Sequence, residues 1–436
     1  MRVLAINYKS RELLYGAVVS VCIAVASPYL MSLITAWGHY IPSKDIGTDY
    51  VIGVLWSVVL GFTILAWPVS TVNKKYLLWG WLAKVAVALG FMLLYENNYG
   101  LDSYTYYRLS TKAGTSLLGF AEFERSGSNS IIIGISKLHQ MMFDSYHATK
   151  VSFAMIGFVG IFLFYRAAVI FKGRENKNIF YLFALCPSIL FWSSTLGKEP
   201  LALLGIALYV YGITGFYKLH YLRYLAAMWF GIAIATIIRE WLGPIMVLPL
   251  LILFLRGKSR PGLKIAVLLV VVIAIVLTAA VSMERLHIAA FQDVVTVANL
   301  TIQGYEGTPG GSTQNMNVEF NSVGSIIKFL PFGVFSALFR PLPGEVMNPF
   351  GLLSGAESLF LLVLLVRAIR RTRFQELKEP LVMWAVLFIV IWASVNGIVS
   401  SANMGLAARY KLQVMPLLLG VLIHLSRKRQ KCGLES

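Results

Sequence analysis

This 436-residue chain predicts an all-α fold, a polytopic transmembrane helical bundle of about 12 spans, on three observations. Hydrophobic residues make up 58% of it and charged residues only 13%, which leaves little polar surface for a separate soluble domain. Apolar runs of roughly twenty residues, enough to cross a hydrocarbon core, recur from end to end. The loops between them alternate between cation-rich and mixed-sign, as the positive-inside rule requires of successive crossings. Residues 1–436 therefore form a single integral membrane domain in this reading.

Arg2, Lys9 and Arg11 precede the first run, about 13–36, and set its start in the cytoplasm. Val21–Ser27 has a faint cleavage-site character, but Pro28 follows and the apolar run continues to Trp37, so an uncleaved helix is expected. The second run, about 50–71, returns to Lys74 and Lys75. The third, about 76–95, leads out to a loop at 96–129 holding Glu96, Asp102, Glu122 and Glu124. The fourth, about 148–171, comes back to Lys172, Arg174 and Lys177. The fifth and sixth, about 179–196 and 200–217, make a hairpin around Lys198 and Glu199.

Tyr224–Leu255 begins and ends beside cytoplasmic cations, so it must go out and return. Two helices of about fifteen residues reach about 22 Å, short of a core of about 30 Å. A short helix pair with Arg239 and Glu240 at its apex, inside the protein, is the consequence. The ninth run, about 263–282, exits to a long outer loop at 283–324. Runs at about 349–367, 381–397 and 405–425 complete the set, with cation clusters at 367–373 and 427–431 inside. Ser130–Phe143 and Ser325–Arg340 mix polar and apolar residues at helical spacing and are expected as two interfacial helices.

A net charge of +18 ordinarily invites nucleic acid. Here orientation and attraction to anionic membrane lipids account for it, and no nucleic-acid partner is expected. Cys22, Cys186 and Cys432 and six scattered histidines show no ligand spacing. No cofactor is evident, and a divalent metal finds no support in the spacing. P-loop, Rossmann and serine-elbow patterns are missing from the sequence.

Chemistry-bearing residues collect near the predicted outer face. Asp102, Tyr104, Tyr106, Tyr107 and Arg108 follow the third run. A carboxylate there can accept a proton from an attacking hydroxyl, and tyrosines can stack on sugar faces. The same residues also suit an interfacial aromatic belt behind an N-cap Asp. Lys198 and Glu199 open a helix, a place suited to a phosphate or to simple capping. Arg239 and Glu240 lie deep in an apolar stretch, so they either neutralise each other or bind an anionic headgroup. Arg340 and Glu345 stand among Pro341, Pro343 and Pro349, which hold an extended ledge. Glu357 is a second buried acid that needs an internal partner, and Arg409 and Tyr410 start the last run.

Together these residues give the chain a resemblance to the GT-C type of integral-membrane glycosyltransferase and to related polymerases of bacterial surface polysaccharides. Four stretches carry it: Asp102–Tyr107; Phe191–Ser194 leading to Lys198 and Glu199; Arg340–Pro343 followed by Glu357; and Arg409–Tyr410 with Pro416 beyond. The charge map puts both termini in the cytoplasm, and the resemblance implies an enzyme in the cell inner membrane. It would move a sugar or oligosaccharide from a polyprenyl-phosphate-type carrier to a hydroxyl of a glycan or lipid acceptor. That step serves exopolysaccharide or O-antigen assembly, as a single transfer or a repeat-unit polymerisation.

By the same resemblance Asp102 is the general base, and Lys198, Arg239, Arg340 and Arg409 bind the leaving phosphate. Tyr104, Tyr106, Tyr107, Arg108, Glu199, Glu240, Glu345, Glu357 and Tyr410 would line the substrate site. The chain departs from the family pattern in three ways. Its first acid follows the third run and not the first, no second acid stands beside it, and no large soluble C-terminal domain follows the last span. A transporter or flippase of a glycolipid or anionic solute is the competing reading, compatible with the short helix pair at Arg239.

Overall fold

The computed structural model describes residues 28–99, 102–111, 127–256, 293–306, 312–314 and 318–427, with scattered positions between 262 and 276. Asp45 accepts hydrogen bonds from the N–H groups of Gly47 and Thr48, which caps α1 (Ile46–Thr63). Ser70 caps α2 (Thr71–Ala86) in the same way. A π turn at Val87–Phe91 joins α2 to α3 (Met92–Tyr99), so one rod continues to Tyr99. α4 (Asp102–Thr111) and α5 (Gly127–Gln140) pack together, and α6 (Tyr146–Lys172) starts from the Ser145 cap.

The expected fifth span does not form as one helix. α7 (Lys177–Leu185) stops at Cys186 and α8 (Pro187–Trp192) restarts at once. Pro187 has no N–H to continue the ladder and holds the residue before it extended, so the break falls at this pair. Ser193, Ser194 and Thr195 hydroxyls then donate back to the carbonyls of Ile189, Leu190 and Trp192 and close the turn before α9 (Lys198–Leu219).

α10 (Leu222–Ile238) ends at Arg239, and α11 (Leu242–Val247) and α12 (Leu250–Arg256) follow. Arg239 and Glu240 lie in the turn between α10 and α11 as expected, but the expected second helix is divided in two around Leu248 and Pro249. α13 (Asp293–Glu306) and α14 (Val323–Phe339) follow. Next come α15 (Pro349–Arg371), the short α16 (Phe374–Leu377) and α17 (Pro380–Ala402). The last run is split into α18 (Met404–Lys411) and α19 (Met415–Ser426), bent by 72°.

α9 lies at the centre, packed along α6 on one side and α10 on the other. Gly205 and Gly231 let α9 and α10 touch backbone to backbone, the close approach that small residues allow between membrane helices. Trp384 Nε1 donates to Tyr209 OH at 3.0 Å and Trp392 Nε1 to Gln413 at 2.8 Å, pinning α17 to α9 and to the α18–α19 elbow.

Six helices among the described residues are long and apolar enough to cross a membrane, seven if the bent pair counts as one. They mark a multi-pass membrane protein. Both segments expected at the interface, 130–143 and 325–340, are helical as α5 and α14. Most of the first and ninth expected crossings lie outside the described residues. Residues 96–99 and 102–111, expected as loop, are helical: Glu96 lies in the last turns of α3 and Asp102 in the first turn of α4.

Candidate functional site

Glu199 organises the site. It stands in the first turn of α9, where the helix dipole favours an anion, and its side chain is 2% exposed. Arg409 Nε from α18 donates to Glu199 Oε1 at 2.7 Å, and Arg239 Nη2 from the α10–α11 turn donates to the same oxygen at 3.1 Å. One buried carboxylate therefore draws together two arginines that lie 210 and 40 residues away in sequence. Arg239 stacks on the Tyr410 ring with its guanidinium carbon 4.4 Å from the centroid, and Arg409 lies 5.8 Å over Trp192.

Asp102 joins from outside. Its carboxylate is 3.7 Å from Arg409 Nη2 and its side chain is 63% exposed, so the described residues leave it open. Tyr106, one turn along α4, feels the charges of Asp102, Glu199, Arg409 and Arg239. Burial and then the two acids push its phenol well above the ordinary value, so it stays a hydroxyl donor. Lys198 lies within electrostatic reach of Asp102, Glu199, Arg239 and Arg409. Lys198, Arg239 and Arg409 thus gather around Glu199 and Asp102, a cationic setting suited to a phosphate.

Of the other expected residues, only Glu240 adjoins this cluster. Tyr104 and Tyr107 pack on Tyr146, with centroids 5.4 and 5.5 Å away, and Tyr107 OH donates to Asp144 at 3.0 Å. Arg108 is exposed, and Glu240 sits beside Arg239 in the turn. Arg340 is committed to Glu345, through Nε at 2.8 and 3.1 Å and Nη2 at 2.6 Å, while the Leu342 N–H donates to the same carboxylate at 2.7 Å. Burial alone would raise the Glu345 carboxyl, but these hydrogen bonds outweigh it and hold it below its ordinary value. The Arg340–Pro341 peptide is cis.

Glu357 finds its internal partner in α8. It accepts from the Ser188 N–H at 2.8 Å and the Ser188 hydroxyl at 2.6 Å, capping that short helix. Between the ledge, α8 and α18 runs a cavity of about 310 Å³ whose walls include Tyr95, Trp192, Pro341, Phe350 and Ala408. It is mainly apolar, and the Trp192 ring that lines it also carries Arg409.

Sequence reasoning passed over a set of buried charges that holds this end of the bundle. Lys150 Nζ donates to Glu96 Oε2 at 2.8 Å, with both side chains fully buried, and Tyr146 OH donates to Glu96 Oε1 at 2.7 Å. Asp49 accepts from the N–H groups of Tyr146 and His147, from the Ser145 hydroxyl and from His147 Nδ1 at 2.8 Å. Lys84 reaches Ser193 Oγ at 2.5 Å and Ser194 Oγ at 3.2 Å. Lys411 donates to the Arg340 carbonyl at 2.9 Å and to Ser358 at 3.0 Å, which links the ledge to the elbow below Arg409. The available signal was Lys84 and Lys150 lying inside apolar runs, where a charge demands a partner. Among the described residues no group of three or more His, Cys, Asp or Glu side chains is arranged to hold a metal ion.

No family model matches the chain, and neither a curated protein nor a solved structure matches it.

Proposed function

We propose that this protein is a polytopic glycosyltransferase of about 12 crossings, with both termini in the cytoplasm, in the inner membrane of a bacterium. It moves a sugar or oligosaccharide from a polyprenyl-phosphate-type carrier to a hydroxyl of a glycan or lipid at the outer face, in cell-surface polysaccharide assembly. One observation carries this reading: Asp102, Arg409, Glu199 and Arg239 form a continuous chain of ion pairs beside an apolar cavity.

Sugar transfer from a lipid phosphate builds positive charge on the sugar and negative charge on the departing phosphate. The exposed Asp102 carboxylate takes the proton of the attacking hydroxyl. Arg239, Arg409 and Lys198 receive the phosphate charge, and Glu199 holds both guanidiniums in place beforehand, so little reorganisation is needed as charge develops. The carrier's isoprenoid end suits the cavity between the ledge and Trp192. Arg340 acts here as the latch of that ledge through Glu345, a narrower role than direct phosphate binding.

Deleting the gene tests this: lipid-linked saccharide should build up, and wild-type protein should clear it while Asp102→Asn does not. A ladder of product lengths identifies a polymerase and a single added unit a transferase. Clearance by Asp102→Asn removes the proposed base. Solute uptake into proteoliposomes with no glycan product points instead to a transporter.

A further inference from the structure

At the end of α9 far from Glu199, the helices α6, α7, α9, α17 and α19 enclose a cleft of about 100 Å³. Its lining is hydrocarbon and aromatic except for Lys172, Thr214 and His424. Cations crowd its mouth. Lys172 lines the cleft, and Arg174 and Arg427 lie close enough to repel it. Lys218 Nζ sits 5.3 Å over the Phe171 ring.

Two of these cations are matched by acids, Lys218 by Glu379 and Arg427 by Glu376, each at 3.5 Å. Lys172 and Arg174 have no carboxylate within ion-pair distance among the described residues. Lys172 and Arg174 are both exposed, so their repulsion is modest, but two unmatched cations at the mouth of an apolar cleft attract an anion that joins them. Among the described residues the cleft leaves apolar surface that a hydrocarbon chain would cover without stranding polar groups.

We propose that this cleft is a binding site for one anionic phospholipid. The lipid's phosphodiester sits on Lys172 and Arg174, flanked by Arg427, and one acyl chain enters between Phe164 and Leu417. A zwitterionic lipid would bring its own cation to an already cationic mouth, and a free phosphate would leave the cleft uncovered. The site shares no residue with the Glu199 cluster, so it is independent of the proposed reaction.

The test is native mass spectrometry of the full-length protein released from nanodiscs of phosphatidylcholine containing phosphatidylglycerol. One phosphatidylglycerol should remain bound in preference to phosphatidylcholine. Lys172→Gln should weaken that retention about fivefold, the effect of one basic residue near a lipid phosphate, and Lys172→Arg should restore it. Ala168→Phe, which fills the cleft and keeps the cations, should also lose the lipid. Each variant is checked for wild-type size-exclusion behaviour, and if Lys172→Gln fails that check, Ala168→Phe and the two-lipid comparison decide alone. Equal retention of the two lipids, unchanged retention in Ala168→Phe, or competition by inorganic phosphate as strong as by the lipid would overturn the proposal.

Discussion

Glu199 and Asp102 are both acids beside Arg409, yet their surroundings give them opposite consequences when changed. Glu199 is buried between two guanidiniums, and removing one member of such a group strands the remaining charges at a cost of about 3–5 kcal/mol. Glu199→Leu should therefore lower the melting temperature sharply as well as abolish product. Asp102 forms a long, exposed pair of the kind worth about 0–1 kcal/mol. Asp102→Asn should melt like wild type and still make no product. A melting curve and a product assay on the two variants separate a positioning role from a chemical one.

At the scale of elements, the buried charges explain why α4 stands where it does. Tyr104 and Tyr107 lean on Tyr146, Tyr146 is held by Glu96, Glu96 is neutralised by Lys150, and Asp49 fixes the start of α6. Lys150→Met should destabilise the protein by about 3–5 kcal/mol, and adding Glu96→Leu should recover part of that loss, because two apolar side chains can replace a buried pair. Chemical denaturation of the single and double variants measures both.

The ledge carries a pH prediction. Glu345 is held below its ordinary 4.5, so the stability it contributes is present above that value and is lost only as pH falls through the lower folded value. Melting temperatures across the acid limb should show that loss in wild type and not in Glu345→Gln.

At the scale of the whole molecule, what was legible in the sequence depended on whether a residue's meaning was local. Arg239 stood out because a charge in an apolar setting is visible in one dimension, Glu199 because it opens a helix, and Arg409 because it starts the last run. That they share a single oxygen atom was not visible, because the contact joins positions 210 residues apart. Glu96 read as a loop acid because nothing in the sequence marks the π turn that carries the rod on to Tyr99. Pro187 did announce a helix break, but an apolar run on both sides concealed it. Charge alternation predicts an orientation, which single-cysteine labelling can check: a thiol at position 102 should react with an impermeant reagent added outside, and one at position 172 only after the membrane is opened.

The most direct measurement uses purified protein in liposomes, a polyprenyl-diphosphate-linked saccharide and a hydroxyl acceptor. Release of free polyprenyl diphosphate is followed in step with glycan formation. Wild type should release carrier and product in equal amounts, and Asp102→Asn and Arg409→Ala should release neither. Movement of intact lipid-linked saccharide across the bilayer without cleavage, or full turnover by Asp102→Asn, would contradict the account.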